Sequence, residues 1–304
     1  MKSARTLAAA WSGGTLAGIG LMLIGVFLFA LNDAIGKWLV GTYSVGELLL
    51  VRSVAALVLL APFIWRGGIA AFANAPRPGL QVLRVVLSSL EVAMFFWAVA
   101  YLPLADVVTF YLAGPIYVTA LSALMLGEKV GWRRWSAVLV GFAGVIVALR
   151  PSPATMTLPA LIALAGSMFF ALLMITTRML RNTSNTVLVA NQITGTLIFG
   201  MVTAPFGWIT PTLNDFGLLV LFGVISIVAI VCLNRSLTLA PASVVVPYQY
   251  TMILWAIALG YAVFGDVPDI AMFAGALIIT AAGLFIFWRE QAQGKTEATA
   301  IEPP

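Results

Sequence analysis

Residues 102–129 read LPLADVVTFYLAGPIYVTALSALMLGEK, and residues 239–267 read LAPASVVVPYQYTMILWAIALGYAVFGDV. Both pass from a Leu/Ala/Pro turn through a tyrosine-bearing apolar run to Gly-Glu or Gly-Asp. Each is followed by a glycine-containing apolar stretch, GFAGVIVAL (141–149) and GALIITAAGLFIF (275–287). Upstream, FALNDAIGKWL (29–39) matches FALLMITTRML (170–180), which sets Lys37 opposite Arg178. Shared apolar composition alone does not reproduce the matched acids after glycine, so the chain reads as a tandem repeat.

Composition says where the repeat lives. Hydrophobic residues make up 62% of the 304 residues and charged residues 9%, against roughly a quarter charged in soluble domains. Apolar runs long enough to cross a bilayer recur throughout. Ten are expected: 16–40, 46–65, 79–101, 104–126, 132–150, 158–180, 186–206, 215–239, 242–264 and 269–288. Lys2 and Arg5 before the first run imitate a signal peptide, but the run continues past a signal's apolar length into Ile35. The repeat unit is therefore five helices. Five is odd, so the second copy enters the membrane upside down, the arrangement on which alternating-access carriers are built. The fold class expected is an all-α membrane protein of ten transmembrane helices in two inverted five-helix repeats. Its parts are residues 1–15, a cytoplasmic N-terminus; 16–150 and 151–288, the repeats; and 289–304, a disordered cytoplasmic tail.

Loop charges orient the chain. With the N-terminus inside, Lys2, Arg5, Arg66, Arg77, Lys129, Arg133, Arg134, Arg178, Arg181, Arg289 and Lys295 are inner, and Arg150 alone is outer. Both termini are thus expected in the cytoplasm. The net charge of +5 sits in these scattered loops, so it reports orientation and no nucleic-acid partner.

The chain has no histidine and one cysteine, Cys232, which removes intramolecular disulfides and the commonest metal-ligand sets. No metal or other cofactor is expected. No phosphate-cradling Gly-Lys-Ser/Thr loop is present, which argues against direct ATP drive. No nucleophile–base spacing supports an enzyme either. The partners expected are a small-molecule substrate and the lipid bilayer, with a homodimer left open.

NDAIGKWL (32–39), WRRW (132–135), VGFAGV (140–145) and PYQY (247–250), with the repeat, resemble the drug/metabolite transporter superfamily, in its branch with two EamA domains. The resemblance covers roughly 16–288. It implies a multi-pass transporter of the bacterial inner membrane moving small organic metabolites or drugs. These motifs are similar to a subgroup of uptake carriers that includes riboflavin and S-adenosylmethionine importers; amino-acid exporters share the fold.

Ionisable groups inside spans are costly and hence functional candidates. Glu91 lies near the middle of the third span; Ser88, three before it, and Phe95, four after, share its helix face. Asp33, Lys37, Glu47 and Arg52 fall at similar depth in the first two spans and are expected to neutralise one another, as a structural cluster or an outer gate. Arg178 is the inner counterpart of Lys37. Tyr248, Gln249 and Tyr250 of PYQY, together with Trp97 and Tyr111, are candidates for stacking on a flat substrate and hydrogen-bonding its edge. Because each candidate acid has a candidate basic partner, a neutral heterocycle is favoured, riboflavin ahead of S-adenosylmethionine.

Overall fold

The computed structural model describes residues 13–67, 76–125, 131–150, 157–180, 183–239 and 245–300. The N-terminal segment expected to be cytoplasmic lies largely outside these residues, as does the side chain of Arg178. Among the described residues the chain is helical throughout: α1 (Gly13–Val40), α2 (Val45–Gly67), α3 (Pro78–Val99), α4 (Leu104–Leu112), α5 (Gly114–Met125), α6 (Trp132–Leu149), α7 (Leu158–Met179), α8 (Asn185–Thr203), α9 (Leu213–Leu239), α10 (Met252–Leu259) and α11 (Ile270–Ala300). Seven apolar helical stretches are long enough to cross a bilayer, and three shorter ones, Trp135–Leu149, Tyr248–Phe264 and Ile270–Phe285, complete the ten segments.

The seventh segment ends in a 3-10 turn, Ala204–Gly207, and two others, equivalents in the repeat, depart further from regular helix. The fourth breaks at Ala113 into α4 and α5, just before Pro115, whose ring nitrogen has no hydrogen to donate. Ile116 and Tyr117 both turn their N–H groups on the Ala113 carbonyl. The ninth opens as a 3-10 helix, Val246–Thr251, continues as α10 and ends as a π turn, Gly260–Phe264. At the chain end, α11 continues through the polar residues 289–300 that composition alone suggests to be disordered. Those residues are rich in Ala, Glu and Gln, good helix formers.

The packing has the symmetry that the sequence repeat implies. α1 lies on α9, and their repeat equivalents α7 and α3 lie on each other. The contact of α2 with α9 is mirrored by α8 with α3, and that of α1 with α10 by α7 with α4. The α2–α8 and α6–α11 seams each map onto themselves. Exchange of the halves thus regenerates the helix pairings, as a two-fold axis in the membrane plane requires. The α2–α8 seam brings backbones together: a Cβ on Gly200 would lie 2.6 Å from the Leu50 amide nitrogen, and one on Gly46 would lie 2.6 Å from that of Ala204. In lipid, where apolar surface gains little from leaving the solvent, such close approach supplies much of the association.

The bundle has two ends. The Arg150 face carries the loops 41–44, 100–103 and 265–269; the Arg77 face carries the start of α3 and the end of α7.

Candidate functional site

The centre of the bundle is built around one guanidinium. Arg52 on α2 donates from Nη2 to Ser226 Oγ on α9 at 2.8 Å. Its guanidinium lies over the Phe222 ring at 4.8 Å and the Phe96 ring at 5.9 Å. Two carboxylates, Asp33 on α1 and Glu91 on α3, act on it electrostatically. All three groups lie deep in the protein, and each keeps some accessible surface. Asn32, next to Asp33, donates to the Phe222 carbonyl at 2.7 Å and fixes α1 on α9. Gly36, one turn along α1, has no side chain to displace the Phe96 ring, whose Cδ1 would lie 2.9 Å from a Cβ there.

Beside the charges runs a chain of rings. Phe222 meets Phe96 at 5.3 Å between centroids, Phe96 meets Phe95 at 5.2 Å, and Phe95 meets Tyr111 edge-on at 5.1 Å. Tyr111 reaches Phe170 of α7 at 6.1 Å and donates its hydroxyl to the Glu91 carbonyl at 3.2 Å. Edge-to-face contacts of this kind hold ring positions well.

The expected four-charge cluster of the first two spans divides. Lys37 pairs with Asp266, at the end of the ninth segment, and sits over the Phe264 ring at 4.6 Å. Glu47 is fully buried, with Oε2 accepting the Ile209 N–H at 3.1 Å and Oε1 without a partner. Arg52 faces Asp33 and Glu91 instead of Glu47. The physical reason is direction: spacing along one helix fixes which face a residue takes, while a long Lys or Arg side chain meets whatever helix covers that face. Asp106 on α4 stands near the Lys37–Asp266 pair with one buried oxygen unpartnered. At the rim, Arg150 lies 3.1 Å from Asp269, which also caps α11. The Met272 amide, then that of Ala271, with Arg150, hold the Asp269 carboxyl below its ordinary range.

Other candidates take structural positions. Ser88 is fully buried and donates to the Val85 carbonyl of its own helix. Trp97 stacks at 4.8 Å on Tyr101, which is 64% exposed, and so belongs to the bundle's rim. Tyr250 is buried with its hydroxyl against Gly283 and unpartnered. Tyr248 packs on Met22 and Val26 of α1, about 10 Å along that helix from Asp33. Gln249 is half-buried beside it. The structure therefore gathers Asp33, Arg52, Glu91, Phe95 and Tyr111, and leaves Lys37, Glu47, Trp97, Tyr248 and Tyr250 elsewhere.

Arg84 is a site that the sequence reading passes over. It lies about 9 Å inside the start of α3 and is 6% exposed. Its Nε donates to Thr177 Oγ1 at 2.8 Å, Nη1 to the Leu188 carbonyl at 3.0 Å and Nη2 to Gln192 Oε1 at 3.2 Å. All three acceptors are neutral.

A polytopic bundle of two inverted five-helix halves, with shared buried charges at its centre, has the build of a membrane carrier. The profile of the EamA-like transporter family matches residues 16–150 and again 157–288, and the chain belongs to that family. It is a transporter and not an enzyme. It is 25% identical over 276 residues to an S-adenosylmethionine uptake transporter of Rickettsia bellii, covering 90% of this chain and 94% of that one. A riboflavin transporter of Vibrio cholerae is 28% identical over 251 residues, 82% and 84% of the two chains. The pseudopaline exporter CntI of Pseudomonas aeruginosa is 26% identical over 87% of this chain and 94% of its own. A solved crystal structure with 18% identity superposes with a TM-score of 0.61 over 90% of this chain and 97% of its own, a likeness of fold alone.

Proposed function

We propose that this chain is a secondary carrier of the bacterial inner membrane, with the Arg77 face and both termini cytoplasmic, that moves a small metabolite bearing a positive charge. The observation that carries the reading is the sharing of Arg52 between Asp33 and Glu91. One guanidinium serves two carboxyls, so ionising both would leave one negative charge in surplus. Deep in a low-dielectric bundle such a surplus needs a counter-charge. A proton or a substrate cation meets that need, and exchange of one for the other gives the site a reason to open alternately to the two sides.

The premise that favoured riboflavin, a basic partner for each acid, does not describe the centre of this bundle. Lys37 faces Asp266, and Arg52 serves two acids. Of the substrates that name its relatives, S-adenosylmethionine carries a sulfonium and riboflavin is uncharged. The rings of Phe95, Tyr111 and Phe170 suit a flat heterocycle in either case.

Uptake of labelled S-adenosylmethionine and riboflavin into proteoliposomes decides between them. S-adenosylmethionine should accumulate, and uptake should fall as external pH is lowered and protons compete for the acids. Glu91→Gln, inserted as well as the wild type, should lower that uptake about tenfold or more, a loss of ~1.4 kcal/mol in binding. Riboflavin uptake without S-adenosylmethionine uptake, or a Glu91→Gln protein that transports normally at every pH, overturns the reading.

A further inference from the structure

The two buried arginines of the central helices carry opposite charge balances. Arg52 has more carboxylate than it can neutralise. Arg84 has none: Thr177, the Leu188 carbonyl and Gln192 accept its bonds, and no acid among the described residues acts on it. A guanidinium stays protonated at any physiological pH. Neutral acceptors satisfy its N–H directions and leave its charge.

Position adds to this. Arg84, Ser88 and Glu91 fall at i, i+4 and i+7 on α3, one face of one helix. The acid and the guanidinium are about 10 Å apart along that face. The acceptors of Arg84 sit on α7 and α8, the packing partners of α3 in the other half. Nearby, Gln81 is 6% exposed, with Nε2 donating to Thr183 and Oε1 buried and unpartnered. At the start of α3, Arg77 donates to the Met179 carbonyl at 3.4 Å and ties α3 to α7. The region where α3 meets α7 and α8 is therefore cationic, polar and held shut by bonds to uncharged groups.

We propose that Arg84 is an anion-binding post on the translocation path, and that its ligand is the carboxylate of the transported metabolite. When α7 and α8 part from α3, the guanidinium exchanges Thr177 and Gln192 for two carboxylate oxygens, a stronger, charge-assisted and bidentate bond. The substrate class this defines is a zwitterion: a cationic centre taken by Asp33 and Glu91, and a carboxylate taken by Arg84 as the molecule passes the Arg77 face. The assignment rests on the cationic-substrate reading above and adds the anionic end to it.

The test is discrimination between two probes that differ in that end alone: S-adenosylmethionine and its decarboxylated form, which keeps the sulfonium. In proteoliposomes the wild type should prefer the carboxylate-bearing probe by at least about tenfold, since a site built to bond a group rejects the analogue lacking it. In Arg84→Gln that ratio should collapse toward one, with uptake of the decarboxylated probe little changed. A structural arginine would behave otherwise: its loss would lower both probes together. That result, or a ratio that survives the substitution, overturns the proposal and leaves the cationic-substrate reading standing. Should Arg84→Gln fail to insert, two further variants decide. Arg84→Lys should keep part of the ratio, and Gln192→Leu, which removes a competing acceptor, should raise it; no change in either overturns the proposal. A wild type that takes up neither probe overturns both readings.

Discussion

The Arg52 and Arg84 regions are exchanged by the two-fold relation between the repeats: α2 meets α9 in one and α8 meets α3 in the other, and both arginines belong to the first repeat. Ser44 and Ser184 open α2 and α8 alike, each accepting an N–H from the residue three further on, Glu47 and Val187. That register sets Gln192 opposite Arg52. Gly223 of α9 packs on Ala55, and Gly195 of α8 packs on Val85 of α3, which aligns α3 with α9. Phe222 then corresponds to Arg84, Ser226 to Ser88, and Ala229 to Glu91. Asp33 corresponds to Met174. In one region the α2 side chain is the cation and its partner across the seam is a ring. In the other the α3 side chain is the cation and its partner is an amide. The scaffold is repeated and the charge is not. Asp33, Arg52, Arg84 and Glu91 all come from the first repeat, so an acid surplus in one region stands against a lone base in its counterpart although the helices pack alike.

Removing the shared cation should have the largest effect. Arg52→Gln leaves two buried carboxylates without a counter-charge, which costs about 3–5 kcal/mol for a broken buried pair. Thermal unfolding in detergent should show a strongly destabilised protein. Adding Asp33→Asn should recover part of the loss. Additive losses would mean that Arg52 does not hold the acids in check, and the contrast between the two regions would dissolve.

The second region can be made to resemble the first. Gln192→Glu, nearly identical in shape, places a carboxylate on Arg84 Nη2. The charge-assisted bond should raise stability by about 1 kcal/mol after desolvation is offset, while uptake of a carboxylate-bearing substrate falls because its place is taken. Unchanged transport in a stabilised protein would mean that no substrate anion visits Arg84.

The smallest effects lie at the Arg150 face. The Lys37–Asp266 pair, with side chains 13% and 23% exposed, should show a coupling of about 1 kcal/mol in a double-mutant cycle, the double neutral variant being better tolerated than either single one. Arg150 and Asp269, 51% and 60% exposed, should couple by less than about 0.5 kcal/mol. The Asp269 carboxyl is held below its ordinary range, so its contribution is present above the usual carboxylate range and is lost as pH falls through the depressed value.

The ten segments, and their doubling, were legible because apolar length and a repeated Gly-Glu/Gly-Asp ending are local properties of the string. The charges at 33, 37, 47, 52 and 91 were legible as anomalies for the same reason. Their partners were not. Lys37 finds Asp266, 229 positions away, although Asp266 had already been matched to Glu128 as a repeat landmark. Trp97 turns to Tyr101 and away from the ring chain, a difference of helix face that depends on which neighbour covers it. Arg84 stood inside a span like the other charges, and nothing near it in sequence signals that it has no acid.

The α2–α8 and α6–α11 seams, which map onto themselves, have a consequence for how such a chain arises. A surface that pairs with its own inverted copy is isologous. A five-helix chain carrying it already holds the means to form an inverted two-fold dimer, and a duplicated gene needs no new interface to fold. What sets two identical halves apart from two different ones is charge: two copies of the first half would place Arg52 against Arg84 in both regions, where this chain has Phe222 and Gln192. Divergence of the copies at a handful of positions around Arg52 and Arg84 turns a symmetric dimer into a single chain with one way round.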